Sequence, residues 1–186
     1  HIPAKHRSLI KAFLDEADMS ADAIKAVDFP PACGADIVVS CEKAKDPKNG
    51  SIYLKPTQFV LGIGCRRDTV FENIDRAIRQ SLLKLQIDIS DIDMIASIDV
   101  KKDEPGIKEF CDRNRIEFVT YTADELMAVK GEFSASQFVK EHVGVDNVCE
   151  RAAVLACIRE CNEAGKLVYK KHKYDGVTVA AAKYPD

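Results

Sequence analysis

A three-layer αβα sandwich with a largely parallel sheet, plus a small N-terminal α/β appendage, is the fold class this sequence predicts. From Gln58 onward, short β-prone runs alternate with runs of helical period. The first of those strands ends in a Gly-x-Gly turn feeding an amphipathic helix, which is how a sheet covered on both faces begins. Pro56 marks a boundary ahead of this region, giving units of 1–56 and 57–186.

Before the boundary, His6–Asp18 reads as a helix with Leu9, Ile10, Phe13 and Leu14 on one face. Ala21–Val27 reads as a second helical piece, broken by Pro30 and Pro31. Ala35–Cys41 and Ser51–Lys55 are β-rich, and the turn signal Asp46-Pro47-Lys48-Asn49-Gly50 between them predicts an antiparallel pair. After it, strand Gln58–Gly64 leads to helix Phe71–Leu85, opened by a Thr69/Glu72 capping box. Strand Met94–Val100 leads to helix Pro105–Asn114, with Pro105 suited to a first turn. Strand Ile116–Tyr121 precedes a helix capped by Thr122 and Glu125. A short helix near Ser136–His142 follows, then Asn147–Ala164 with an Asn147/Glu150 capping box and Gly165 at its end. Strands Lys166–Lys170 and Val177–Ala182 close the chain around Tyr174-Asp175-Gly176.

At 186 residues and 46% hydrophobic content, the chain can bury one core plus a small appendage. A formal net charge of −3 argues against bulk nucleic-acid binding. Charge is uneven, however: residues 165–186 carry Lys166, Lys170, Lys171, Lys173 and Lys183 against Asp175 and Asp186. No apolar run approaches a membrane span and no secretory pattern opens the chain, so no membrane partner is expected. Seven cysteines without such a pattern point to a reducing, cytoplasmic setting. The start at His1 without Met reads as a piece of something longer.

In such sheets ligands gather at the carboxyl ends of the strands. Gly62, Gly64, Arg66, Arg67 and Thr69 fall there, and glycines at a helix start beside two arginines suit an anion. A strand-to-helix turn with surface arginines would look the same. Arg67 stands where the dinucleotide fingerprint needs its third glycine, so that fingerprint is excluded. Asp99, Lys101 and Glu104 mix acids with a base after the second strand, as a hydrolytic site requires. Cys65, at a helix start beside arginines, is a rival nucleophile expected to have a lowered pKa. Glu150 is a further acid, with a capping role as its structural reading. Ser134 and Ser136 lack a nucleophile elbow. Cys149, Cys157 and Cys161 read as small packing residues on a helix, their spacing with His142 being too loose for a metal site.

Four segments occur in order: Gly62-Ile63-Gly64-Cys65-Arg66-Arg67; Ala96-Ser97-Ile98-Asp99 with Lys101 and Glu104-Pro105-Gly106; Phe138-Val139 with His142-Val143-Gly144-Val145 and Val148-Cys149-Glu150; and Lys171 to Ala180. Together they resemble the C-terminal domain of the cobalamin-biosynthesis family CbiG and the related stand-alone CobE, from about Gln58 to the end. Residues 1–56 resemble the tail of that family's middle region, ending at the joint Tyr53-Leu54-Lys55-Pro56. The family's N-terminal module is expected to be missing. The resemblance implies hydrolysis of the ring-A lactone of cobalt-precorrin-5A, with a two-carbon unit leaving as acetaldehyde. It implies an anionic cobalt-corrinoid intermediate as partner, other corrin-pathway enzymes as further ones, and no cofactor held by the protein, the cobalt arriving in the substrate. Chemical type then suggests Arg66, Arg67, Lys171 and Lys173 to grip carboxylates, Asp99, Glu104 or Glu150 as base, and Lys101 near the oxyanion. A non-catalytic corrinoid carrier and an unrelated phosphate-binding α/β enzyme are the competing readings.

Overall fold

The computed structural model describes residues 37–39, 52–54, 58–134 and 144–185. The expected helices His6–Asp18, Ala21–Val27 and Ser136–His142, and the turn Asp46–Gly50, lie outside these. The chain divides into two compact units, His1–Thr57 and Gln58–Asp186.

In the first unit, β1 (Ile37–Val39) pairs with β2 (Ile52–Leu54) in parallel, Val38 opposite Tyr53. The antiparallel pair expected from the turn signal is thus corrected. A local turn signal does not dictate the direction of the next strand.

The second unit runs β3 (Phe59–Cys65), α1 (Phe71–Leu85), β4 (Ile92–Ile98), α2 (Pro105–Asn114), β5 (Glu117–Tyr121), α3 (Ala123–Ala128), α4 (Val148–Cys161), β6 (Lys166–Lys173) and β7 (Val177–Lys183). The sheet order is β5-β4-β3-β7-β6. Strands β3, β4 and β5 are parallel, whereas β7 lies antiparallel to both β3 and β6. Within this five-stranded sheet every strand except β7 therefore points the same way. The β6–β7 connection, Tyr174-Asp175-Gly176, is too short for a crossover, and Gly176 takes φ +72°, so the two form a hairpin.

Period-two alternation sorts the strand residues between two cores. Val60, Met94, Ala96 and Ala182 pack with Leu126 of α3 and with Ala152, Ala153 and Ala156 of α4. Leu61, Ile63, Ile95, Val179 and Ala181 face the opposite way, onto Ile74, Ile78 and Leu82 of α1 and Ile107 and Phe110 of α2.

Helix ends show where local signals hold and where they yield. Thr122 and Glu125 form the full reciprocal box on α3, as expected. At α1 the expected Thr69/Glu72 box is absent. The N-cap is Val70 with no side-chain cap, while Thr69 donates its hydroxyl to the Arg66 carbonyl at 2.7 Å. At α4 only half the expected box forms: the Asn147 side chain accepts from the Glu150 N–H at 3.0 Å, but the Glu150 carboxylate goes elsewhere. That helix ends at Asn162, in the left-handed region, ahead of Gly165.

Gly62 has a packing reason. A Cβ there would lie 1.7 Å from the Cys149 carbonyl oxygen, in the first turn of α4. The obstructing atom is backbone and cannot rotate away. Gly62→Ala is expected to cost about 3 kcal/mol, the upper end for overpacking, read as a lower urea midpoint. A loss under about 1 kcal/mol would show that α4 can move off the sheet cheaply.

Candidate functional site

The carboxyl ends of β3 and β4 deliver two turns, Gly64–Thr69 and Asp99–Gly106, and one buried carboxylate joins them. Glu104 is 6% exposed. Its Oε1 accepts the Thr69 backbone N–H at 3.0 Å and its Oε2 accepts the Lys101 ammonium at 2.7 Å. Gly106 completes the brace, because a Cβ there would lie 2.2 Å from the Thr69 carbonyl oxygen. The structure therefore brings Thr69, Lys101 and Glu104 together, and both Glu104 oxygens are engaged. Asp99 opens the turn after β4, half-buried, in no ion pair among the described residues.

Arg66 and Arg67 are exposed, as is Asp68, which takes φ 59° to turn the chain into α1. The Arg66 N–H donates to the Gly176 carbonyl at 2.9 Å, placing this turn beside the β6–β7 hairpin. Lys173, also exposed, pairs with Thr178, which pairs with Gly64, so it stands on the same row of the sheet. Gly64 is pressed against Thr178, whose Oγ1 would lie 2.7 Å from an added Cβ. Gly62 and Gly64 thus have a packing reason for lacking a side chain, from α4 and β7 respectively.

Lys171 separates from Lys173. Its backbone N–H donates to Glu150 Oε1 at 2.6 Å and its ammonium to the Ser134 carbonyl at 3.3 Å. These contacts tie its backbone and one ammonium donor to the fold and leave two donors on the ammonium.

Glu150, 0% exposed, is more than a capping residue. Its Oε2 accepts the Ser134 N–H at 2.8 Å, and its Oε1 accepts the Ser134 hydroxyl at 2.9 Å as well as the Lys171 N–H. Asn147 donates to the Ser134 carbonyl. One carboxylate thereby joins α4, β6 and the segment at Ser134. Local sequence gave no sign of it, since the partners lie 16 and 21 residues away. Arg151 was likewise not singled out. It is buried, grips Asp146 at 2.7 and 3.2 Å, donates to the Leu126 and Val129 carbonyls at the end of α3, and lies 4.5 Å over the Phe133 ring. Its hydrogen bonds hold the Asp146 carboxyl below the usual range.

Cys65 corrects the expected lowered pKa. Burial pushes its thiol up to about 11, and the Lys101 charge only partly offsets that. Cys111, Cys149 and Cys157 are pushed up to about 12 by burial. A thiol so protected is a poor nucleophile near neutrality, so iodoacetamide should label Cys65 far more slowly than free cysteine at pH 8. The folded chain keeps these protons where the unfolded chain, with ordinary thiols near 9.0, loses them. Stability should therefore fall as pH rises from about 9. Labelling of Cys65 as fast as the free thiol would overturn this.

Among the described residues no group of three or more His, Cys, Asp or Glu is placed to hold a metal ion. No helix among them is long and apolar enough to cross a membrane.

Two strand-end turns braced by a buried carboxylate, with arginines at the rim, lie within a segment that matches a known family. The family described as Cobalamin synthesis G C-terminus matches residues 59–182. The chain belongs to this family. Similar curated proteins are cobalt-precorrin-5A hydrolase of Salmonella typhimurium, 34% identical over 126 residues, and that of Priestia megaterium, 31% identical over 138. The matches cover 68% and 74% of this chain but 34% and 35% of those proteins. This CbiG-type domain thus spans about a third of the length of these relatives. The crystal structure of CobE, a protein from the cobalamin (vitamin B12) biosynthetic pathway, has the same fold. Its TM-score is 0.66 at 24% identity, covering 70% of this chain and 93% of that one.

Proposed function

We propose that this domain supplies the corrinoid-binding and lactone-opening part of a cobalt-precorrin-5A hydrolase. The observation that supports the reading is the Lys101–Glu104–Thr69 brace, which joins the turn after β3 to the turn after β4 at the strand ends where ligands of such sheets gather. Asp99 acts as the base that activates water toward the ring-A lactone carbonyl. Lys101 gives one of its three donors to Glu104 and has two left for the developing oxyanion. Glu104 is a positioning residue. Arg66, Arg67 and Lys173 hold peripheral carboxylates of the macrocycle, Arg through paired donors. The cobalt enters as part of the substrate. Water adds to the lactone carbonyl and the acyl C–O bond breaks, leaving a carboxylate on the macrocycle and a free hydroxyl on the two-carbon unit. That hydroxyl then loses its proton and becomes the acetaldehyde C=O as the carbon–carbon bond to the macrocycle breaks, the electron pair staying on the macrocycle.

The test is incubation of the lactone-bearing cobalt intermediate with this chain, alone and within the full-length enzyme, assaying acetaldehyde. Release that needs Asp99 supports the reading. The corrinoid binding as tightly with no acetaldehyde, even in the full-length protein, would instead favour a carrier.

A further inference from the structure

We propose that Val70 and Val100 form the apolar contact on which one face of a flat polycarboxylate macrocycle packs. This inference rests on the function proposed above and names where that site meets its substrate.

Val70 is 55% exposed and Val100 65% exposed, on the two turns whose Thr69 and Glu104 are buried. A single carboxylate relates them. Glu104 accepts the N–H of Thr69, the residue before Val70, and the ammonium of Lys101, the residue after Val100. A Cβ on Gly106 would lie 3.1 Å from the Val70 carbonyl carbon, so the Val70 backbone rests on the start of α2. The two valines therefore stand on neighbouring turns over the same buried brace. Arg66, Arg67 and Lys102 flank them, all exposed and in no ion pair among the described residues; exposed Asp68 and Asp103 share the two turns, Asp103 lying 3.8 Å from the Lys108 ammonium.

A second observation concerns the helix start. Val70 is the N-cap of α1, and no side chain caps that helix. Ser, Thr, Asp or Asn at this position would satisfy an orphan N–H and stabilise the chain. Forgoing a cap for an exposed valine breaks a local rule, and such breaks concentrate where function sets the residue. An apolar centre with Arg66, Arg67 and Lys102 among the charges at its edge complements a ring with apolar faces and an anionic edge. A small phosphate would use the cations and leave the valines in water.

The experiment titrates cyanocobyrinic acid, a corrinoid whose side arms are free carboxylates, into wild type, Val70→Ser, Val100→Ser, the double variant and Val70→Ile. The double variant should bind about tenfold or more weakly, on the scale of burying two half-exposed valines, and the deficit should persist at high salt. Val70→Ile should bind like wild type. Val70→Ser should also melt a few degrees higher, because it restores a cap, so its weaker binding would not reflect unfolding. Equal affinity of the double variant and wild type would overturn the valine contact and leave the proposed function standing. No binding by the wild-type chain would overturn both.

Discussion

Glu150→Ala should destabilise the folded chain by about 3–5 kcal/mol, because it removes a fully buried carboxylate that three donors share. The Ser134 N–H, the Ser134 hydroxyl and the Lys171 N–H all donate to this carboxylate, at 2.6–2.9 Å, and the residue is 0% exposed. A buried donor left without its acceptor costs about 1–3 kcal/mol, and here three part-buried donors share one carboxylate. A capping residue would cost only about 0.5–2 kcal/mol. Urea unfolding at constant m-value separates the two. Glu150→Gln should fall between, since it keeps one carbonyl acceptor but presents an amide to groups that are themselves donors. If Glu150→Ala costs no more than a cap, the carboxylate's three contacts are not holding α4, β6 and the Ser134 segment together.

Asp99→Asn should lower acetaldehyde release by about 10²–10⁴-fold in the full-length enzyme, the usual contribution of a positioned base, with corrinoid binding nearly unchanged. The amide keeps the shape and loses the proton acceptor. Glu104→Gln serves as the contrast. Its effect should appear in stability as well as rate, because the carboxylate braces Thr69 and Lys101. Cys65→Ser should leave the rate intact, as burial holds that thiol protonated up to about 11. The assignment fails if Asp99→Asn still releases acetaldehyde at the wild-type rate while Cys65→Ser does not. That result would require a thiolate attack on the lactone despite the buried setting.

Much of the second unit was legible from local pattern. Helices Phe71–Leu85 and Pro105–Asn114 begin and end at the residues expected, and the Thr122/Glu125 box forms. Strand–helix alternation predicted the layers, and four ordered motifs pointed to the family that the match over 59–182 establishes. These features depend on residues within a turn or two of one another, or on a repeating period, so a single chain displays them.

What stayed hidden depends on partners far along the chain. The parallel direction of β1 and β2 is decided by pairing and not by the turn signal between them. Glu104 meets Thr69 across 35 residues, Glu150 meets Lys171 across 21, and Gly62 faces a carbonyl of α4. Cys65 looked activated by its neighbours in sequence, yet the exclusion of water around it reverses the sign. Sequence by itself determined the elements, their order and the family, because period and capping are short-range. Only tertiary structure decided which charges are occupied and which remain free for a ligand, because burial and long-range hydrogen bonding set the energy of a charge.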